Sequence, residues 1–524
     1  MFKTNKIKLI IALVLTSTLV SLVVLFAVFS TTLPGLAAYS PFLPEAKSPH
    51  VVELQDGDYY EIRAGFATKK IAGEKQIMLA YNQQIPGPII KVAEGAAVTI
   101  KLVNNTDINT TLHSHGIRTT NKYDGTPGLT QPAIKPGESF EYKLTFPDPG
   151  VYWYHPHLRE DYTQERGLYG NFLVTPKDEN YWSAVNREEV IFIDDILLNR
   201  RNKVANFSKN HASHALMGRF GNKMFVDGQE YYRTKAKTGE VIRFYLTNAA
   251  NTRTFNLEIP GAELKVVGGD NGRYLHEFNA KNLLLSPSER LIVEAYFPNA
   301  GTFKLNHKTP ERNYELGEIA VTNEKIAQDY SREFKRLRSS QAMAAEVASL
   351  RSYFAKKPDR TLVTDVELKS GMGRMGGMNH GMHGGHNSDK VQPIEWEDHM
   401  GAMNSMSTSE NVIWKLTDKD TGKSNMAVNW TFKKDELVKI RIENPDDTDH
   451  PMQHPIHFHG QKFLVLNLDG NPTQNFVWKD SALLPAGSTM EILMPMDNPG
   501  KWMAHCHIAE HLEAGMMIGF KVEE

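Results

Sequence analysis

The chain has 524 residues, 41% of them hydrophobic, enough for three or four domains that each bury a core. Its 59 basic and 61 acidic side chains nearly cancel, so nothing in the charge points to nucleic acid as a partner. The single cysteine, Cys506, rules out an intramolecular disulfide framework, and 38 glycines with 26 prolines suit a β-rich, turn-rich chain.

At the N-terminus Lys3, Lys6 and Lys8 precede an uncharged apolar run from Leu9 to Phe29. The apolar core of a signal peptide spans about 7–15 residues, whereas a membrane span needs about 20. The run fits an anchor better than a cleaved signal, although Gly35-Leu-Ala37 offers a weak cleavage site. Residues 1–38 are therefore read as signal peptide or membrane anchor. The lysines face the cytoplasm and the body is exported, to the periplasm or the extracellular face.

Beyond this segment the chain repeats. Gly95 is followed at every second position by Val98, Ile100, Leu102 and Asn104. Gly239 is followed in the same way by Ile242, Phe244, Leu246 and Asn248, and Asp435 by Val438, Ile440, Ile442 and Asn444. This alternation is that of a half-buried strand, ended by an Asn turn. Later in each third, Pro136-Gly-Glu, Pro287-Ser-Glu and Pro485-Ala-Gly open a second strand, followed by Gly150, Gly301 and Gly500. Five residues past those glycines stand His155, Asn306 and His505, and seven past stand His157, Lys308 and His507. The middle copy keeps the strand frame and lacks the histidines. Three β-sandwich units follow from this, over residues 48–178, 186–322 and 410–524. Between the last two, residues 323–409 read as a linker with a helix over 324–356. A Met/His-rich loop over 371–406 completes it, with seven methionines and four histidines between 372 and 406. Thioethers there suit Cu(I).

The chemistry concentrates in four stretches: His113-Ser-His115-Gly, His155-Pro-His157, His454-Pro-Ile-His457-Phe-His459-Gly, and His505-Cys506-His507-Ile-Ala-Glu-His511-Leu-Glu-Ala-Gly-Met516. One histidine pair would mean little; four clusters with the only cysteine inside one of them form a metal-site pattern. Thiolate, imidazole and a weak thioether make the ligand set of a blue-copper centre. On a strand, His505 and His507 point to the face opposite Cys506 and can serve other metals.

These stretches resemble the four copper motifs of the multicopper oxidases, over about residues 50–524. The resemblance implies an all-β chain of three consecutive cupredoxin-like Greek-key β-sandwich domains behind an N-terminal hydrophobic segment, the middle domain carrying no copper ligand. It implies four copper ions. His454, Cys506 and His511 would hold the type 1 copper with Met516 axial, and His113 and His457 the type 2 copper. His115, His155 and His507 would hold one type 3 copper, and His157, His459 and His505 the other. Cys506, His505 and His507 would carry electrons between the sites. Asp124 matches the acidic residue the family places beside the type 2 water. Leu512 stands where some bacterial members have a proton-delivering Glu, with Glu510 and Glu513 nearby. The implied partners are O2 and a reducing substrate, in a monomer. The Met/His-rich loop resembles that of bacterial cuprous oxidases, so Cu(I) is the first expectation for the donor, with phenolic or aromatic compounds beside it. A laccase acting mainly on phenols and a non-catalytic copper-binding envelope protein are the alternatives.

Overall fold

The computed structural model describes residues 43–369 and 392–524. The apolar run 9–29 and the part of the Met/His-rich loop over 371–391 lie outside the described residues. Among the described residues no helix is long and apolar enough to cross a membrane.

The chain folds into three sandwiches of two sheets each, every sandwich around its own core. The repeated alternating segments become the strands Ala97–Asn104, Val241–Asn248 and Leu437–Glu443. In the first, Val98, Ile100, Leu102 and Asn104 face inward and the residues between them do not. Each of the three strands has a parallel neighbour on one side and an antiparallel one on the other. The second repeated strand is Gly150–His155, Gly301–Lys308 and Gly500–Cys506 in the successive sandwiches. It begins each time at a glycine with positive φ, +153°, +144° and +144°. A side chain on Gly500 would collide with Asn121 of the first sandwich, 2.4 Å away, so the residue is small where two domains touch.

The segment between the second and third sandwiches differs from the sequence reading. The last strand of the middle sandwich runs on to Lys325, and the helix expected over 324–356 is two helices, Ser331–Lys335 and Gln341–Phe354. The second is capped by Ser340, whose side chain accepts from the Met343 amide. Its Met343, Val347 and Leu350 pack on Leu464, Leu466, Phe476 and Trp478. Strand Arg360–Leu368, inside the stretch read as linker, pairs in parallel with Leu437–Glu443. Tyr59–Ile71 and Arg187–Ile196 pair the same way in their own sandwiches, so the third sandwich starts near residue 360 rather than 410. A strand of nine residues flanked by helix and loop left no partner visible in sequence.

Candidate metal centre

Strand pairing explains why ligand residues from four motifs converge. In the first sandwich His113–His115 runs antiparallel to Gly150–His155, with His113 opposite His155. In the third, His454–Phe458 lies beside Gly500–Cys506, with Ile456 opposite Cys506 and His457 opposite His505. Side chains alternate across a strand, so His454 shares a face with Cys506 while His457 shares the other with His505. One motif thus feeds two separate sites.

On the second face, histidines of the first and third sandwiches interleave. His113 stacks on His459 with ring centroids 4.1 Å apart, and His115 on His457 at 3.8 Å. None of the eight is more than 7% exposed. Their ring nitrogens form three trios, each within 4.8 Å: His113, His457 and His459; His115, His155 and His507; His157, His459 and His505. Burial pushes His115, His155, His157, His457 and His505 well below the ordinary histidine pKa, and His507 to about 3, so their rings are neutral.

The outer nitrogens are mostly tied down. Nδ1 of His113 lies 2.7 Å from the Asp124 carbonyl, that of His155 2.8 Å from Pro156 O, that of His457 2.8 Å from Asp480 O, and that of His505 2.9 Å from Cys506 O. A ring donating from Nδ1 to a carbonyl keeps its lone pair on Nε2. The Nε2 atoms of His113, His115, His155, His457 and His507 are buried without a hydrogen-bond partner among the described residues. The other three meet in two Nε2 pairs, His157 with His459 at 3.2 Å and His459 with His505 at 3.0 Å. So many buried lone pairs aimed at one another are unfavourable unless cations lie between them, and the geometry fits metal.

The other face carries a single trio. Cys506 Sγ is 3.6 Å from His454 Nδ1 and 3.8 Å from His511 Nδ1, and the two nitrogens are 3.4 Å apart. The Ile508 amide donates to the sulfur at 3.4 Å, and Trp414 stacks on His511 at 4.2 Å. Burial raises the Cys506 pKa far above its ordinary value, so a metal must displace the proton for the thiolate to form. Met516 is fully buried, and its carbonyl accepts from the Cys506 amide at 3.1 Å. Soft sulfur with two imidazoles is a copper donor set.

Every predicted ligand histidine is thus gathered into one of two places. Asp124 lies beside the larger one: its Oδ2 is 3.0 Å from His459 Nδ1 and accepts from the Thr126 hydroxyl at 2.6 Å. Sequence reasoning missed three contributors. Glu160 lies 3.3 Å from His157 Nδ1, and its position three residues past that histidine was the available signal. Asp480 faces His115 and His457, and Arg290 of the middle sandwich grips Asp480; neither stands in any motif. The middle sandwich itself fills the ligand positions with other polar contacts, in which Asn306 Nδ2 donates to Glu258 at 3.3 Å and Lys308 Nζ is 3.8 Å from the same carboxylate.

Comparison with known proteins agrees with this donor chemistry. Three multicopper oxidase family models match residues 65–179, 193–306 and 397–524, one in each sandwich. "Multicopper oxidase mco" of Staphylococcus haemolyticus is 27% identical over 85% of this chain and 83% of its own length. "Copper resistance protein A" of Escherichia coli is 22% identical over 91% of this chain and 94% of its own. "Laccase-1" of Botryotinia fuckeliana is 26% identical over 86% and 80%. Among solved structures, the multicopper oxidase from Campylobacter jejuni, described as a metallo-oxidase, superposes with a TM-score of 0.68 at 22% identity, covering 93% of this chain and 98% of that one. A sulfur-bearing copper trio on one face of a strand and a histidine cluster on the other, in a chain matched domain by domain, have one reading: the chain belongs to the multicopper oxidase family, copper-dependent oxidoreductases that pass electrons from a reducing substrate to O2.

Proposed function

We propose that the chain is an exported cuprous oxidase holding four copper ions. His454, Cys506 and His511, together with Met516, would hold the type 1 ion. His113 and His457 would hold the type 2 ion, and the two remaining trios the type 3 pair. Copper held there supplies one-electron uptake from the donor and the four-electron reduction of O2, which turns four Cu(I) and four protons into four Cu(II) and two waters. The chain's own residues do the rest. The backbone joins Cys506 directly to His505 and His507, so the two sites share a covalent path. Asp124 and the carbonyls of Pro156, Asp480 and Cys506 orient the rings, and the buried setting keeps bulk water away from the cluster.

The observation that carries the choice of donor is the cover over the type 1 trio. His511 is fully buried, and the middle-sandwich segment Ala215-Leu216-Met217 packs into the third-sandwich core beside it. The Trp414 indole donates to Ala215 O at 2.8 Å. Met400 and Met403 pack against the same core, and Asn404 holds the cover by accepting from the Met217 amide at 3.1 Å and donating to Gly218 O at 2.9 Å. A bulky ring has no imidazole edge to rest on, whereas thioethers suit Cu(I). The apolar segment 9–29 supports export; a tether through residues 9–29 and a monomeric state belong to the same proposal.

The test is O2 uptake by copper-loaded protein lacking residues 1–38, given Cu(I) or a phenol. Because Asn404 and Ser407 are hydrogen-bonded into the cover, the loop variant should lack residues 371–391 only. We expect that variant to lose most Cu(I) oxidation and to keep its rate with a small aromatic donor. Faster uptake with phenols than with Cu(I) by the parent would move the reading to a laccase. A blue protein that consumes no O2 would leave a copper-binding scaffold. Cys506→Ser should abolish the blue band.

A further inference from the structure

We propose that Arg290 of the ligand-free middle sandwich is a positioning residue for the metal cluster, acting through Asp480. This rests on the ligand assignment proposed above. Arg290 is fully buried and opens strand Arg290–Tyr296. Its guanidinium makes a two-pronged contact with Asp480 of the third sandwich, Nη1 to Oδ1 at 2.7 Å and Nη2 to Oδ2 at 2.5 Å. Nε donates to the carbonyl of Val151 at 3.2 Å, on the first-sandwich strand that ends in His155. The remaining donors go to Ser288 O and Asp270 O in its own sandwich, at 3.0 and 3.3 Å. One side chain therefore binds all three domains. Planar guanidinium against carboxylate is the arrangement that fixes orientation as well as charge.

What that orientation serves is visible on the far side of Asp480. Its Oδ1 lies 3.5 Å from His115 Nδ1 and 3.7 Å from His457 Nδ1, and its carbonyl takes up His457 Nδ1 at 2.8 Å. The two rings come from different sandwiches and lie face to face at 3.8 Å. A single carboxylate thus stands behind both Nδ1 atoms and leaves both Nε2 atoms pointing into the cluster. Asp480 with these two histidines could itself be taken for a metal trio. Both its oxygens are already occupied, however, by Arg290 and, at Oδ2, by Asn271 Nδ2 at 2.8 Å and, at Oδ1, by the Ser481 hydroxyl at 3.2 Å. The carboxylate orients ligands and does not serve as one. Asn271, like Arg290, belongs to the middle sandwich. Lys479, next in the chain, adds ion pairs to Asp270 at 3.1 Å and Glu289 at 3.0 Å. The domain that carries no ligand thus supplies the frame for two ligands that the other domains carry. Outer partners of this kind typically change metal affinity about 10–100-fold when removed.

The experiment compares copper-loaded parent, Arg290→Gln, Arg290→Lys and Asp480→Asn. Copper per chain is measured after dialysis against a graded chelator, with the electron paramagnetic resonance spectrum and the visible blue band recorded in parallel. We expect Arg290→Gln and Asp480→Asn to keep the blue band and the circular dichroism of the parent while releasing cluster copper at about 10–100-fold lower chelator concentration. Combining the two should lower retention no further, and Arg290→Lys, which keeps the charge without the fork, should fall between. Full copper retention with an unchanged spectrum in Arg290→Gln would overturn the proposal. So would loss of the blue band together with cluster copper, because that marks a general loosening of the domains. A parent that binds copper at the blue site alone would refute the ligand assignment itself, a result separate from any effect of Arg290.

Discussion

A histidine buried with an acceptor on one nitrogen and no partner on the other is committed to a single role, and His113, His155 and His457 are such rings. The same commitment exposes the one carboxyl near them that is not tied down. Glu160 is 1% exposed, and neither of its oxygens completes a hydrogen bond among the described residues. Its Oε1 lies 3.3 Å from His157 Nδ1, and burial, with Glu513 and Asp161 nearby, raises its pKa well above the ordinary value. Glu510 and Glu513 are also raised by burial, to about 8 and about 7, but Glu510 is held by Asn251 and Thr252. A carboxyl biased by burial toward its protonated form, and touching a ligand ring, is placed to deliver a proton there. Glu160→Gln keeps the shape and removes the proton. It should leave copper content and the blue band unchanged and slow O2 consumption at least about tenfold, since a positioned general acid contributes about 10²–10⁴-fold. Unchanged turnover under saturating donor would move proton delivery to Glu510 or Asp124.

At the level of elements, the three Asn residues that end the repeated strands have the same task. Asn104 Nδ2 donates to Ile108 O at 2.8 Å and Ile134 O at 2.9 Å, Asn248 Nδ2 to Arg253 O and Leu285 O at 2.8 Å each, and Asn444 Nδ2 to Met452 O at 2.8 Å and Pro485 O at 2.9 Å. Each amide bridges the loop that leads to the next strand, and in the outer copies that strand carries ligands. Asn444→Ala would orphan buried carbonyls, a loss of about 1–3 kcal/mol, and would free the segment before His454. Asn248→Ala should cost similar stability, read by urea unfolding, with no effect on copper retention. Equal copper loss in both would show that the amides merely hold the sandwiches together. These asparagines, the strand alternation and the ligand motifs were legible because each is local. Arg290 and Asp480 were not, being 190 residues apart in unremarkable strands. Nor was the strand at 360–368, whose parallel partners lie 80 residues on, across the loop. Sequence patterns show what a residue does to its neighbours in the chain; contacts between domains have no such trace.

For the whole molecule, the cost of assembling so many buried ionisable groups should appear as a pH profile of the metal-free protein. Burial lowers His454, His507 and His307 to about 3 and His214 and His450 to about 4, and holds His155, His457 and His505 well below the ordinary histidine value. In the unfolded chain these rings take a proton near pH 6.5, so the unfolded state binds more protons below that point and stability falls as pH falls. The buried acids act in the opposite sense. Glu510 at about 8, and Glu165 and Glu513 at about 7, keep protons in the folded state that the unfolded chain loses above about 4.5. Stability therefore declines as pH rises from there to about 8. Between 4.5 and 6.5 the two effects oppose each other, and the more numerous histidines prevail; above 6.5 only the acids act. Each such group contributes a slope of about 1.4 kcal/mol per pH unit. Thermal unfolding of the copper-free protein should accordingly peak near pH 6.5 and decline on both sides. Glu510→Gln should flatten the alkaline decline and leave the acid limb alone. A melting temperature that climbs steadily from pH 5 to 8 in the parent would mean that the three glutamates are ionised in the folded state, and that the interface around Glu510 admits water.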